Sequence, residues 1–374
     1  MNIIDIKRNN RSRIYSYIRE NELVTRQDIA YDLQLSLPTV TQNLDNLLER
    51  GLICSDQKIV SKTGGRHPMA YSCVQDAKVA IGVDITQNHI KAIIIDLNGE
   101  VIKYVYKRQK YSRTDEYLKI LGMEVENLID CANIDRNKIL GVGIAVPGII
   151  DHDEGYVIQG RVIDNEGMTC EEFSKYIPYP TKLIHDSFAA GYSEIWLTPD
   201  IHNIFYFNLC NSVGGCVLIN DEVYIGDGLY SGEIGHLNLV PNGDRCYCGQ
   251  KGCFDVYCNA EVLSMHTDGN LALFFSKLEE GDVALHEVWD RYLDYLATAI
   301  TGIRMLFGCT IIIGGYVGAY IKDYLDILIE KVDERSPFGN LNLASEYLLP
   351  CKNKIESVAT GAALFFVEEF FEDI

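Results

Sequence analysis

The stretch that most constrains this chain runs Ser231-Gly-Glu-Ile-Gly-His236, a short loop, then Cys246-Tyr-Cys248-Gly-Gln-Lys-Gly-Cys253-Phe-Asp255. Nine residues separate His236 from Cys246, one separates Cys246 from Cys248, and four separate Cys248 from Cys253. Imidazole and thiolate donors so close together can converge on one tetrahedral ion, with Gly249 and Gly252 letting the loop turn tightly around it. Four protein ligands leave no open position, so the ion expected on His236, Cys246, Cys248 and Cys253 is a structural zinc. The competing reading is three buried free cysteines and an unrelated histidine; the glycine spacing favours the knuckle. Disulfides are not expected, because twelve cysteines without a secretory leader or paired framework suggest a reducing cytoplasm.

At 374 residues the chain should divide into two or three units, and no apolar run approaches a membrane span. The net charge of −20 is unevenly placed. Residues 1–75 carry ten Lys/Arg against eight Asp/Glu, a net of +2, so −20 less +2 leaves −22 for residues 76–374. The acidic remainder repels nucleic acid, and only the first segment is suited to phosphates.

Within that segment Ile14, Tyr17 and Ile18 recur at helical spacing, predicting a first amphipathic helix over 10–20. Thr25 caps a second helix, Arg26 to Leu33, with Asp28 completing a short capping box. Ser36 caps a third, with Pro38 tolerated in its first turn and Gly51 ending it. Val40, Leu44, Leu47 and Leu48 share the face that packs inward. Thr39, Gln42, Asn43 and Asn46 then point outward beyond Ser36, with short amides and hydroxyls suited to base edges in a major groove. Leu52 to Cys54 and Met69 to Cys73 read as the strands of a wing, whose Gly64-Gly65-Arg66 tip presents an arginine to phosphate or the minor groove. A three-helix interaction module without DNA contact is the alternative.

Gly232-Glu-Ile-Gly-His236 followed by Cys-x-Cys-Gly-x-x-Gly-Cys resembles the signature of the ROK family, which groups bacterial sugar kinases with sugar-responsive repressors. The first 75 residues are similar to the winged helix-turn-helix of the family's N-acetylglucosamine and xylose repressor branch. The resemblance implies an α/β fold: that DNA-binding unit, then a two-lobed sugar-kinase/actin-like (ribonuclease H-like) body. The units expected are 1–75, a first lobe over 76–198, and a second lobe over 199–374 that holds the zinc knuckle, with the C-terminal helix packing back on the first lobe.

Residue by residue, the resemblance implies a sugar site. Leu183-Ile-His185-Asp186 is similar to the family junction whose Asp is a general base in the kinases; the preceding Asn is His185 here. A carboxylate at Asp186 can equally accept a sugar hydroxyl or simply cap the following helix. Glu233 and His236 inherit sugar contacts, and Asp255 stands where the family has a Glu, one methylene longer. Two departures concern ATP. Ile85-Thr-Gln-Asn-His89 replaces the family's Gly-Gly-Thr turn, and Cys210-Asn-Ser-Val-Gly-Gly215 keeps only Gly214 and Gly215 of a second phosphate turn. Side chains there crowd a phosphate that needs bare backbone N–H groups.

Residues and resemblance together predict a DNA-binding transcriptional regulator of carbohydrate metabolism genes, a repressor responsive to a sugar or sugar derivative and lacking kinase activity. Its expected partners are a double-stranded operator and a second copy of itself, as a homodimer or dimer of dimers, away from any membrane. The rival is a ROK-type kinase that phosphorylates a hexose with ATP. A third reading is a regulator controlled by a protein partner, its sugar pocket vestigial.

Overall fold

A computed structural model describes residues 3–21, 23–58, 69–353 and 356–374. Three helices, Ile3–Glu20, Arg26–Asp32 and Leu37–Glu49, open the chain. Thr25 caps the second, with the reciprocal bond from its own N–H to Asp28, and Ser36 caps the third. Ile14, Ile18, Ile29, Val40, Leu44 and Leu47 are fully buried between them. Tyr15 is buried in this core as well, and Tyr17, half-buried, packs against it while its hydroxyl donates to Asp32. A small sheet with the spatial order Val24–Thr25, Met69–Cys73, Ile53–Lys58 closes the unit, which is the winged arrangement expected. The wing tip, with Arg66, lies outside the described residues.

The rest is built on two five-stranded sheets with one connection pattern. The first has the order Thr181–His185, Ile139–Val146, Val79–Ile85, His89–Ile95, Val101–Arg108. The second runs Glu222–Val223, Val213–Ile219, Asn203–Leu209, Thr310–Gly314, Leu348–Pro350. In each, an antiparallel hairpin continues into parallel strands added on its other side. Runs such as Val79–Ile85, buried at every position, are what sheets covered on both faces require. This duplication is the two-lobed α/β body that the sequence resemblance implied.

The helix Ser357–Asp373 crosses from one unit to another. It lies on the first sheet and against the helix Asp186–Trp196, and its far end meets the first helix of the chain. Ser12 Oγ donates to the carbonyl of Phe371 at 3.0 Å, and Arg11 Nε donates to the main-chain oxygen of Ile374 at 2.6 Å. One continuous apolar cluster joins Ile14 and Tyr15 to Ile93, Ile95, Leu364 and Phe371. Among the described residues no helix is long and apolar enough to cross a membrane.

Candidate functional site

The His/Cys stretch folds into a compact loop around four converging donors. Arg245 pairs with Lys251 and Asn238 with Cys253, so the segment turns back on itself. Gly249 and Gly252 sit at φ of +95° and +77°, and a Cβ on Gly252 would lie 1.7 Å from the Val240 carbonyl oxygen. The ligand atoms of His236, Cys246, Cys248 and Cys253 all lie within 4.8 Å of one another. Nδ1 of His236 is 3.8 Å from the Cys246 sulfur, and the sulfurs of Cys248 and Cys253 are 3.7 Å apart. Metal–thiolate bonds of about 2.3 Å give a tetrahedron with edges near 3.8 Å, so the donor set fits a small divalent metal. Nε2 of His236 faces the Tyr247 hydroxyl at 3.2 Å, which fixes the ring's orientation.

This knuckle forms one wall of a cavity of about 340 Å³. His185, Asp186, Glu233 and His236 all line it. Asp186 begins its helix at the end of a buried strand, and its Oδ1 accepts the Ser187 N–H at 2.6 Å and the Ser187 hydroxyl at 3.1 Å. It both helps to cap the helix and faces the cavity. Nε2 of His185 lies between two carboxylates, 3.5 Å from Asp186 and 3.7 Å from Glu233, while its ring edge meets Phe188. The lining thus offers paired acceptors beside a donor, which suits vicinal hydroxyl groups.

Asp255 does not join them. It is 3% exposed, absent from the cavity wall, and its Oδ1 accepts the Val213 N–H at 2.7 Å. The shorter side chain turns inward to the backbone, which corrects the expected sugar contact. Sequence reasoning missed Tyr247 and Arg161. Arg161 comes from the opposite lobe and donates Nη1 to the Cys248 carbonyl at 3.2 Å, across the cavity mouth. Only a contact between distant segments reveals it; Tyr247 lies between two predicted ligands and was legible in principle.

A second cavity, of about 270 Å³, shares Pro147, Val162, Asp186 and Ser212 with the first. Both turns that stand where the family's kinases hold phosphate border it. In one, Thr86 Oγ1 accepts the N–H groups of Asn88 and His89 at 3.4 and 3.3 Å. In the other, the Val213 N–H is held by the Asp255 carboxylate. These amides are already taken, the last by an anion. Asp84, also on this wall, is 6% exposed. Burial pushes its carboxyl up to about 7, Lys91 opposes this, and Asp186 and Glu356 add to it. Its folded pKa exceeds the unfolded 3.8, so its contribution to stability is complete below about pH 4 and is lost as pH rises through 7. Asp84→Asn should match wild type in melting temperature near pH 4 and exceed it at pH 8. Paired thermal scans across that range check this; a constant gap would contradict it.

On the third helix Ser36 and Gln42 are exposed and Thr39 is half-buried. Ser36 and Thr39 share a hydroxyl contact of 2.8 Å. Asn43 is 8% exposed and its amide donates to the Thr39 carbonyl at 2.8 Å, so it does not face outward as the helical spacing suggested. Asn46 is half-buried and accepts from Arg11.

Comparison with known proteins places this geometry. The ROK family model matches residues 80–369, and a winged helix-turn-helix DNA-binding model matches residues 7–53. The chain is 24% identical over 381 residues to the xylose repressor of Bacillus subtilis (strain 168), covering 99% of this chain and 97% of that protein. It is 26% identical over 270 residues to the DNA-binding transcriptional dual regulator NagC of Escherichia coli (strain K12), covering 70% of this chain and 65% of the regulator. Among solved structures, a ROK family transcriptional regulator described as a homolog of the E. coli MLC protein aligns over 99% of this chain and 97% of its own, with a TM-score of 0.76 at 20% identity. A ROK family glucokinase from Streptomyces griseus aligns over 77% of this chain and 98% of its own, with a TM-score of 0.64 at 19% identity. The chain belongs to the ROK family, with a winged helix-turn-helix ahead of the family's body.

Proposed function

We propose that this chain is a cytoplasmic transcriptional regulator that binds operator DNA and is controlled by a sugar or sugar derivative, without phosphorylating it. The units are residues 1–75 for DNA, 76–198 for the first lobe and 199–374 for the second. The observation that carries the reading is that the Asn88 and His89 amides of one turn are bonded to Thr86 and the Val213 amide of the other to Asp255, in a chain with a DNA-binding unit. The names of its relatives, repressors for xylose and for N-acetylglucosamine, support the same assignment.

In this reading His185, Asp186 and Glu233 hold ligand hydroxyls beside His236, and Ser36, Thr39 and Gln42 approach DNA. Arg66, outside the described residues, would contact phosphate or the minor groove. Zinc, bound by His236, Cys246, Cys248 and Cys253, is structural: it holds the imidazole and the loop that carries Tyr247 in place. A homodimer sets two recognition helices against a palindromic operator, and ligand shifts DNA affinity by preferring one lobe arrangement. These genes would serve carbohydrate use.

The test starts with an operator selected from random duplexes and titrated with a sugar panel that includes xylose and N-acetylglucosamine. One sugar should change operator affinity by about 5- to 150-fold. No change across the panel refutes sugar control, and no duplex binding at low salt refutes DNA recognition. The kinase reading is favoured by one observation, the position of Asp186 on both cavities. It requires ATP-dependent sugar phosphorylation that Asp186→Ala abolishes, and a coupled assay decides between the two.

A further inference from the structure

We propose that Arg19, packed over the stacked pair Trp196 and Phe371, is the positioning residue through which the sugar cavity acts on the DNA-binding unit, by way of the helix Asp186–Trp196. This rests on the regulator reading above and names its internal route.

The helix Asp186–Trp196 starts on the cavity wall, with Asp186, and ends at Trp196 under the first helix of the chain. Eleven residues make a rod of about 16 Å. Everything from Ser187 to Ile195 is buried, so the rod has no slack along its sides. Glu194 fixes it to the chain ahead of the C-terminal helix, accepting the N–H groups of Lys352 at 2.9 Å and Asn353 at 2.8 Å. Tyr192 stacks on Phe365 with ring centres 4.5 Å apart, so the C-terminal helix moves with the rod.

At the far end the indole N–H of Trp196 donates to the Asn98 carbonyl at 3.0 Å, and its ring stacks on Phe371. The guanidinium of Arg19 lies over both rings, 5.1 Å from the centre of Trp196 and 4.5 Å from that of Phe371. Among the described residues its Nη1 is buried without a hydrogen-bond partner, so the aromatic faces, with the charge of Glu368, hold it. Ser12 and Arg11 add bonds to Phe371 and Ile374 beside it. A carboxylate that shifts to meet a ligand at one end therefore displaces the surface on which the recognition helix's own unit rests at the other. Packed helices transmit such shifts because they slide as units between discrete arrangements.

The experiment uses the full chain, labelled with 5-fluorotryptophan, in wild type, Arg19→Gln, Arg19→Lys and Trp196→Phe forms. Arg19→Gln should bind sugar within about twofold of wild type and still bind operator, but lose most of the sugar-induced change in operator affinity, at least about fivefold of it. The reciprocal effect, of operator on sugar affinity, should fall by the same factor. Arg19→Lys, which keeps a cation over the rings, should restore part of both. Coupling of wild-type size in both Arg19→Gln and Trp196→Phe overturns the proposal. If no sugar moves operator affinity in the wild type, the regulator reading fails instead, and the Arg19 contact is judged by DNA alone. Operator must then shift the fluorine resonance of Trp196 in wild type and not in Arg19→Gln; an unmoved resonance overturns it.

Discussion

Replacing Cys253 with serine should release bound metal and lower the melting temperature by roughly 5–10 °C, the largest effect expected of any single change near the site. Cys253 is fully buried, its main chain pairs with Asn238, and its sulfur lies 3.7 Å from that of Cys248. Structural metal sites of this donor type contribute on the order of 10 kcal/mol to folding, so loss of one thiolate removes several kcal/mol even with partial compensation by water. Sugar affinity should fall as well, because His236 and Tyr247 lose the anchor that sets their orientation. Metal analysis of purified protein, thermal scans and sugar titration together check this. Cys131→Ser, at an exposed cysteine outside the cluster, is the control and should change none of them. Equal metal content in Cys253→Ser and wild type would remove the cysteine from the ligand set.

Gly361→Ala should destabilise the protein by about 3 kcal/mol or more, although a methyl group in a helix interior ordinarily stabilises. A Cβ there would stand 1.7 Å from the carbonyl oxygen of Ala189 and 2.4 Å from its carbon. Both are backbone atoms of the rod-like helix behind the cavity, and neither can swing aside. The first sheet meets the same C-terminal helix equally closely, since a Cβ on Gly82 would be 1.8 Å from the Ala359 carbonyl oxygen. Separation at Gly361 must then disturb the sheet, the rod and the contact with the first helix together. Gly302→Ala, in the helix Val283–Phe307 where a new methyl meets nothing within 4 Å, should be neutral or stabilising by about 0.5–1 kcal/mol. Denaturant unfolding of the pair gives the comparison, and similar midpoints would contradict the close-packing account.

Local features were legible in the sequence because they are decided locally. Thr25 with Asp28, Ser36 with Pro38, and the His236, Cys246, Cys248, Cys253 cluster depend on spacings of a few residues; the structure shows both caps and brings the four donors together. Asn43 was misread for a reason the helix explains: it stands three residues after Val40 and four before Leu47, on the flank of the buried stripe. Its amide can enter that flank because the Thr39 carbonyl one turn back receives it. Asp255 shows a different limit. Its position along the chain matched the family pattern, yet one methylene less let the carboxylate reach the Val213 N–H instead of the cavity. Arg161, and the docking of the first helix on the last, depend on segments far apart in sequence, where periodicity carries no information.

That docking has a consequence for how the molecule is made. Ser12 and Phe371 are 359 residues apart. At roughly 5–20 residues per second, translation leaves the DNA-reading unit without its seat for about 20 to 70 seconds. During that interval a nascent chain carries an operator reader that no sugar can govern, and obedience arrives only when the final helix leaves the ribosome.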